Sequence, residues 1–249
     1  MSTSTSSWRI GGIVPPLGVI EAAIADGKSV VTANKALVAR HGPRLRTAAD
    51  AKGVDLLFEA AVCGAIPIVR SLRDALPAAR LRRITGIVNG TANFVLTLMA
   101  DRIPLDDAVG QARARGYAEA DPAADLTGRD AAAKAAVLAT LVTGTPPVFT
   151  RVSGLDHGIR VRAGTKLVAE IDLTAVPARV TVGLRDLAPA DPLAAVTGAD
   201  NALLVETVDG QELFFRGPGA GGDATALAVI GDVVQAARRL AVDARPVCA

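Results

Sequence analysis

Apolar positions along the chain follow two periods, with helical spacing dominating the first 144 residues and alternation taking over after them. The stretch "GGIVPPLGVIEAAIADGKSVVTA" reads as turn, helix, strand, with Pro15 and Pro16 suited to a first helical turn and Gly27 to the position past the last one. Val30 and Val31 are β-branched and apolar, the end of a buried strand that runs straight into a helix beginning at Lys35. Thr32 and Asn34 are the candidate caps of that helix. "VDLLFEAAV" (54–62) predicts a second buried strand, "GAIPIVRSLRDAL" a turn into another helix, and "LRRITGIVNG" (81–90) a third strand ending at Asn89–Gly90.

Two helices should follow, "TANFVLTLMADR" and "PLDDAVGQARARG", the second opened by Pro104. "YAEADPAADLTG" (117–128) is polar throughout and predicts a loop. "RDAAAKAAVLATLVTG" (129–144) predicts an alanine-rich helix stopped by Gly144 and Pro146. Beyond it, "TKLVAEIDL", "ARVTVGL" and "NALLVETVDGQELFFRG" alternate as strands do. Asp209–Gly210 between two alternating runs signals a hairpin. A glycine loop and a closing helix, "GPGAGGDATALAVIGDVVQAARRLA", end the pattern. The expected class is therefore α/β passing into α+β. Residues 11–50 resemble the tail of a Rossmann-like, doubly wound parallel sheet, and 51–249 a mixed sheet with helices on one face.

With 249 residues, half of them hydrophobic, the chain can build a sizeable core. Aromatics are only 3%, so Ala, Val, Leu and Ile must fill it. A net charge of +2 gives no argument for nucleic acid or an anionic membrane as partner. No apolar run approaches the length of a membrane span. The opening "MSTSTSSW" lacks the apolar core of a secretory signal, and residues 1–10 are expected to form a disordered tail. Two cysteines, Cys63 and Cys248, are too few for a disulfide framework and fit a reduced, cytoplasmic setting.

Candidate chemistry concentrates around residues 117–134. Asp130 and Lys134 are four apart on one predicted helix and share a face. The loop before it supplies Glu119, Asp121 and Asp125. Spacing alone leaves two readings open: an exposed ion pair beside a solvated loop, or a site where carboxylates orient an ammonium or hydroxyl and a lysine handles a proton. Lys35, at the mouth of a sheet, lies where α/β enzymes keep ligands. "GPGAGGDATA" (217–226) precedes a helix but matches neither GxGxxG nor a P-loop, and a plain tight turn explains it better than an anion site. Cys63 follows a strand and precedes a helix, and a small buried hydrophobe is the simpler reading than a reactive thiol. His41 and His157 have no metal-ligand spacing and are read as structural or exposed.

Five collinear stretches carry a resemblance: "GKSVVTANKALVARHG", "FEAAVCGAIPIVRSLRDAL", "GIVNGTANFVLTLM", "ARGYAEADPAADLTGRDAAAKAAVLA" and "GPGAGGDATALAVIGDV". Together, over roughly 10–240, they resemble homoserine dehydrogenases. The resemblance implies interconversion of homoserine and aspartate semialdehyde by hydride transfer with NAD(P). It implies that Lys35, Asp130 and Lys134 are catalytic, and that Glu119, Asp125, Asn89, Gly90 and Thr91 bind substrate. Thr32, Ala33 and Asn34 would border the cofactor. A main-chain site for sodium or a similar ion would map to Glu59, Val62, Gly64 and Ile66. Residues 51–249 would then be a catalytic and dimerisation domain, making a homodimer through an apolar surface of the later strands.

The family's nucleotide-binding half opens with a strand, a GxGxxG turn and a residue that reads the ribose, and the sequence offers only a late remnant of it. Three readings follow. The chain is a minimal or truncated homoserine dehydrogenase that binds its cofactor weakly or not at all. Alternatively it is a cofactor-independent lyase, cyclase or isomerase doing acid–base or imine chemistry on a related amino acid or aldehyde. The third reading is a non-catalytic binding protein. The first two require Lys35, Glu119, Asp125, Asp130 and Lys134 to converge on one cleft, with both lysines facing it.

Overall fold

The computed structural model describes residues 13–243. The expected tail at 1–10, Gly11–Gly12 and Cys248 lie outside the described residues. Helix α1 (Val14–Ala25) has proline in its first turn, and Gly27 turns the chain after it with φ +72°. Strand β1 (Val30–Val31) leads into α2 (Lys35–Ala51), and β2 (Leu56–Leu57) pairs with β1 in parallel, Val30 opposite Leu56. Asn34 caps α2 as its sequence suggests, its Oδ1 accepting from the Leu37 N–H at 3.1 Å.

The second strand is much shorter than expected. After Leu57 the chain bends into a 3₁₀ turn at Glu59–Ala61. The cause is the buried Glu59 carboxylate, whose two oxygens accept from the Val69 and Arg70 N–H groups at 2.8 Å each. A strand continuing through 62 could not place that carboxylate on the start of α3 (Ile68–Arg70). The expected helix there is one α turn that widens into a π segment over Ser71–Ala75. Strand β3 (Leu81–Ile87) also stops early, because Asn89 leaves the sheet to cap α4 (Gly90–Ala100), accepting from the Ala92 N–H at 2.8 Å. Helix α5 (Leu105–Ala114) follows. Within the expected polar loop lies one short helical turn, α6 (Ala123–Leu126), before α7 (Arg129–Thr143).

The remaining strands build a six-stranded sheet. Strand β4 (Val148–Val152) is an exposed edge strand that the sequence reading passed over. Its "VFTRV" run is β-branched and aromatic, but no side chain faces inward to give it a buried period. Strands β5 (Thr165–Asp172), β6 (Arg179–Asp186), β7 (Asp200–Thr207) and β8 (Glu212–Pro218) complete the order β4-β6-β5-β3-β7-β8. All neighbours are antiparallel except β4 and β6. The β7–β8 hairpin turns at Asp209–Gly210, as expected, with Gly210 at φ +87°. Helix α8 (Gly222–Asp243) closes the chain.

Alternation decides which face is covered. Ile84, Leu167, Ala169, Ile171, Val180, Val182, Leu203 and Val205 join the core that α4 and α7 pack against. The opposite face is mixed. A row of charges crosses four strands: Arg185 to Glu170 at 2.8 Å, Arg83 to Glu170 at 3.7 Å and Arg83 to Glu206 at 3.4 Å. Next to it a small apolar cluster of Ile87, Leu193, Val196 and Ala202 is covered by the segment between β6 and β7. No helix among the described residues is long and apolar enough to cross a membrane.

The glycine loop is used for close approach. A Cβ on Gly219 would lie 2.0 Å from the Asn201 side chain, and Pro218 accepts from the Ala65 N–H at 3.1 Å. The loop therefore folds onto the 63–66 turn.

Candidate active site

Three elements meet at one end of the two sheets. Strand β1 delivers Lys35 through the Thr32–Asn34 turn, and β3 delivers Val88 and Asn89 at its end. Helix α7 delivers Asp130 and Lys134, its first residue preceded by Gly128 at φ +80°. Asp130 sits in the first turn of α7, where a carboxylate also complements the helix dipole.

Asp130 is buried and lies between the two lysines. Its Oδ1 makes an ion pair with Lys35 Nζ, and its Oδ2 makes one with Lys134 Nζ at 2.8 Å. Lys134 Nζ also donates to the Val88 carbonyl at 2.9 Å. Asn89 Nδ2 donates to Asp130 Oδ2 at 2.8 Å and to Asp125 Oδ1 at 2.7 Å. One carboxamide thus ties together both carboxylates while its oxygen caps α4.

Opposing effects set the charge states. Burial alone would raise the Asp130 carboxyl, but the Lys134 and Lys35 ammoniums outweigh it and hold the pKa at about 2. Burial alone would also strip the proton from Lys134, yet the adjacent Asp130 charge reverses the balance and its pKa is raised. Asp125 goes the other way. Burial raises its pKa, the Asn89 hydrogen bond lowers it, and the neighbouring Asp130 charge raises it further. Two carboxylates a few ångströms apart are therefore held at different readiness to take a proton.

Lys35, Asp130, Lys134, Asn89 and Asp125 are brought together. Gly90 and Thr91 start α4 beside them, and Thr91 Oγ1 donates to the Tyr117 carbonyl. Glu119 is not among them: it is exposed on the loop and makes no hydrogen bond or ion pair to the cluster among the described residues. Thr32 and Asn34 are held in the turn, the Asn34 N–H donating to Thr32 Oγ1 at 3.2 Å, and Ala33 is exposed between them. Asn89 was named only through resemblance; its double hydrogen bond follows from its cap position, which a sequence can suggest but not aim.

The expected cation turn runs through Glu59, Val62, Gly64 and Ile66. Cys63 and Gly64 have consecutive positive φ values, +58° and +51°. The Glu59 carboxylate is fully engaged with α3, so only main-chain carbonyls of this turn are left for an ion. No group of three or more His, Cys, Asp or Glu side chains among the described residues is arranged to hold a metal. Cys63 is buried, and that burial pushes its thiol up to about 11, the state of a small hydrophobe rather than a nucleophile. His157 is exposed and His41 half-buried.

Comparison with known proteins decides the family. The family model for homoserine dehydrogenase matches residues 67–234, and that for the homoserine dehydrogenase NAD binding domain matches residues 12–59. The chain belongs to the homoserine dehydrogenase family. The homoserine dehydrogenase of Corynebacterium glutamicum is 46% identical over 248 residues, covering 92% of this chain and 55% of that protein. The Mycobacterium tuberculosis H37Rv enzyme is 43% identical over 95% of this chain and 57% of its own length. Among solved structures, a homoserine dehydrogenase from Thiobacillus denitrificans superposes with a TM-score of 0.86 at 38% identity, over 94% of this chain and 57% of that one. A hyperthermophilic archaeal homoserine dehydrogenase in complex with NADPH gives 0.84 at 32% identity, over 94% and 70%. The chain spans about half the length of the curated relatives it matches.

The geometry generates a stability prediction. Asp130→Asn leaves the Lys134 ammonium facing Lys35 with only the partly protonation-prone Asp125 as counter-charge, which should lower the unfolding free energy at pH 7 by about 3 kcal/mol. The folded carboxyl lies below its ordinary value of 3.8, so its contribution is complete above that value and is lost as pH falls through about 2. Urea denaturation from pH 7 to 2 should show this acid loss in the wild type and a flatter profile in the variant. Equal stability at pH 7 would contradict the arrangement.

Proposed function

We propose that this chain carries the substrate-holding and proton-handling part of a homoserine dehydrogenase, interconverting homoserine and aspartate semialdehyde with NAD(P). The observation that supports this most is the buried Asp130 between two lysine ammoniums at the ends of β1 and β3. Reducing an aldehyde requires a proton on oxygen and stabilisation of the alkoxide that precedes it. Lys134 has two of its three N–H groups engaged by Asp130 and Val88, leaving one fixed donor for that oxygen. Asp130 keeps it charged, so it acts as the standing electrostatic partner.

Lys35 is 44% exposed and, among the described residues, is paired with Asp130. It is the group with a route to water and is assigned the proton exchange. Asp125, with one oxygen engaged by Asn89, is assigned the substrate ammonium. Asn89 acts on the reacting end through Asp125 and Asp130, which its two N–H groups orient, and Gly90 and Thr91 back it from the start of α4. NAD(P), when bound, would supply the hydride chemistry at the carbon that bears the reacting oxygen. The residues present fit the nicotinamide end, where Thr32, Ala33 and Asn34 line the turn into Lys35. A monovalent cation would be held by the main-chain carbonyls of Glu59, Val62, Gly64 and Ile66.

Isothermal titration should show L-homoserine bound, with its affinity falling at least about tenfold in Lys134→Met. Unchanged homoserine affinity in that variant would refute the assignment of Lys134.

The assembly reading is a homodimer through the outward sheet face. Its charge row of Arg185, Glu170, Arg83 and Glu206 is self-complementary under a two-fold, and exposed Phe214, paired with Leu204, adds an apolar contact on the same face. Light scattering at micromolar concentration should give twice the chain mass, with dissociation promoted by salt. A monomer at low salt would contradict it.

A further inference from the structure

One buried cation takes no part in the site. Lys166, on β5, is only 4% exposed and has no carboxylate partner among the described residues. Its Nζ donates to the Val196 carbonyl and to Asn93 Oδ1, the latter at 3.3 Å. Asn93, on α4, is fully buried, and its Nδ2 lies 3.2, 3.0 and 3.3 Å from the carbonyls of Val196, Gly198 and Asp200. Thr97 Oγ1, one turn further along α4, accepts from the Gly198 N–H at 3.3 Å. The 196–200 segment is thus fastened to α4 and β5 by side chains.

That segment presses on the helix end that carries the site. A Cβ on Gly90 would lie 2.4 Å from the Ala199 carbonyl oxygen, so the start of α4 sits directly against the fastened segment. The register of β3 on β5 puts Gly86 opposite Ala169, so β3 ends toward the part of β5 that carries Lys166. Asn89 is the cap of α4 and the residue whose carboxamide binds both Asp125 and Asp130.

We propose that Lys166 and Asn93 are positioning residues: they clamp the 196–200 segment against Gly90 and so aim the Asn89 carboxamide at the two carboxylates. The proposal rests on the site reading above. It accounts for a charge buried without a counter-charge, an arrangement that costs stability and that an apolar side chain would avoid. A purely structural contact would more simply be filled by leucine or methionine.

The test reads the carboxylates and not the fold. The full chain is labelled with ¹³Cγ-aspartate, and the Asp125 resonance is assigned by its loss in Asp125→Asn. Its titration is then followed in the wild type and in Asn89→Ala, Lys166→Met and Asn93→Ala. The groups that face Asp125 are Asn89, Asp130, Lys134 and Lys35, and the Asn89 hydrogen bond holds its midpoint down. Asn89→Ala should raise the Asp125 midpoint by about half a pH unit or more. Lys166→Met and Asn93→Ala should each raise it in the same direction while melting cooperatively. Folded clamp variants with an unmoved midpoint, alongside a shifted Asn89→Ala, would overturn the clamp and leave the site reading intact. An unmoved midpoint in Asn89→Ala itself would overturn both. Failure of both clamp variants to fold would also overturn the proposal, since the residues would then serve the fold alone.

Discussion

Two ammonium groups share one sheet mouth only because a buried carboxylate lies between them. Asp130 makes that possible, and nearly every local feature of the site serves to place it. Gly128 takes the left-handed conformation that starts α7 at the right residue, and Asp130 falls in its first turn. Lys134, four residues on, returns to the same face. Lys35 comes from a different sheet, carried by a cap at Asn34 that fixes where α2 begins. Mutual Coulomb stabilisation then overrides the burial that would otherwise neutralise Asp130 and Lys134.

The rest of the fold holds these three elements at one point. β3 is central in the six-stranded sheet, and its early exit into α4 turns Asn89 from a strand residue into a cap. The same economy appears at Glu59, where a carboxylate ends β2 by binding the first N–H groups of the next helix. Asp232 of α8 accepts from the Glu59 N–H at 2.8 Å, joining the last helix to that turn. Polar groups buried in this way decide where elements stop, whereas apolar periodicity decides only that they exist.

That division explains what could be read in the sequence. The order of helices and strands, the Asp209–Gly210 hairpin and the i, i+4 pair on α7 follow from local spacing. The early ends of β2 and β3 do not, because each is caused by a contact with a residue outside the strand. β4 was invisible as an exposed edge with no buried alternation. Lys166 could not be found from sequence, since a lysine in an alternating strand reads as a solvated residue until its partners on α4 and before β7 are known. The five family stretches named Lys35 and Asn89; the structure supplies their distances to Asp130 and Asp125. Glu119 stays apart from the cluster, exposed on the loop before α6.

The most direct measurement is a crystal structure of this chain with L-homoserine. The account places the substrate hydroxyl within hydrogen-bond distance of both Lys35 Nζ and Lys134 Nζ, with its ammonium on Asp125 and with Asp130 still between the lysines. Homoserine bound in the reverse sense, with its carboxylate on the lysines, or bound away from them, would contradict it.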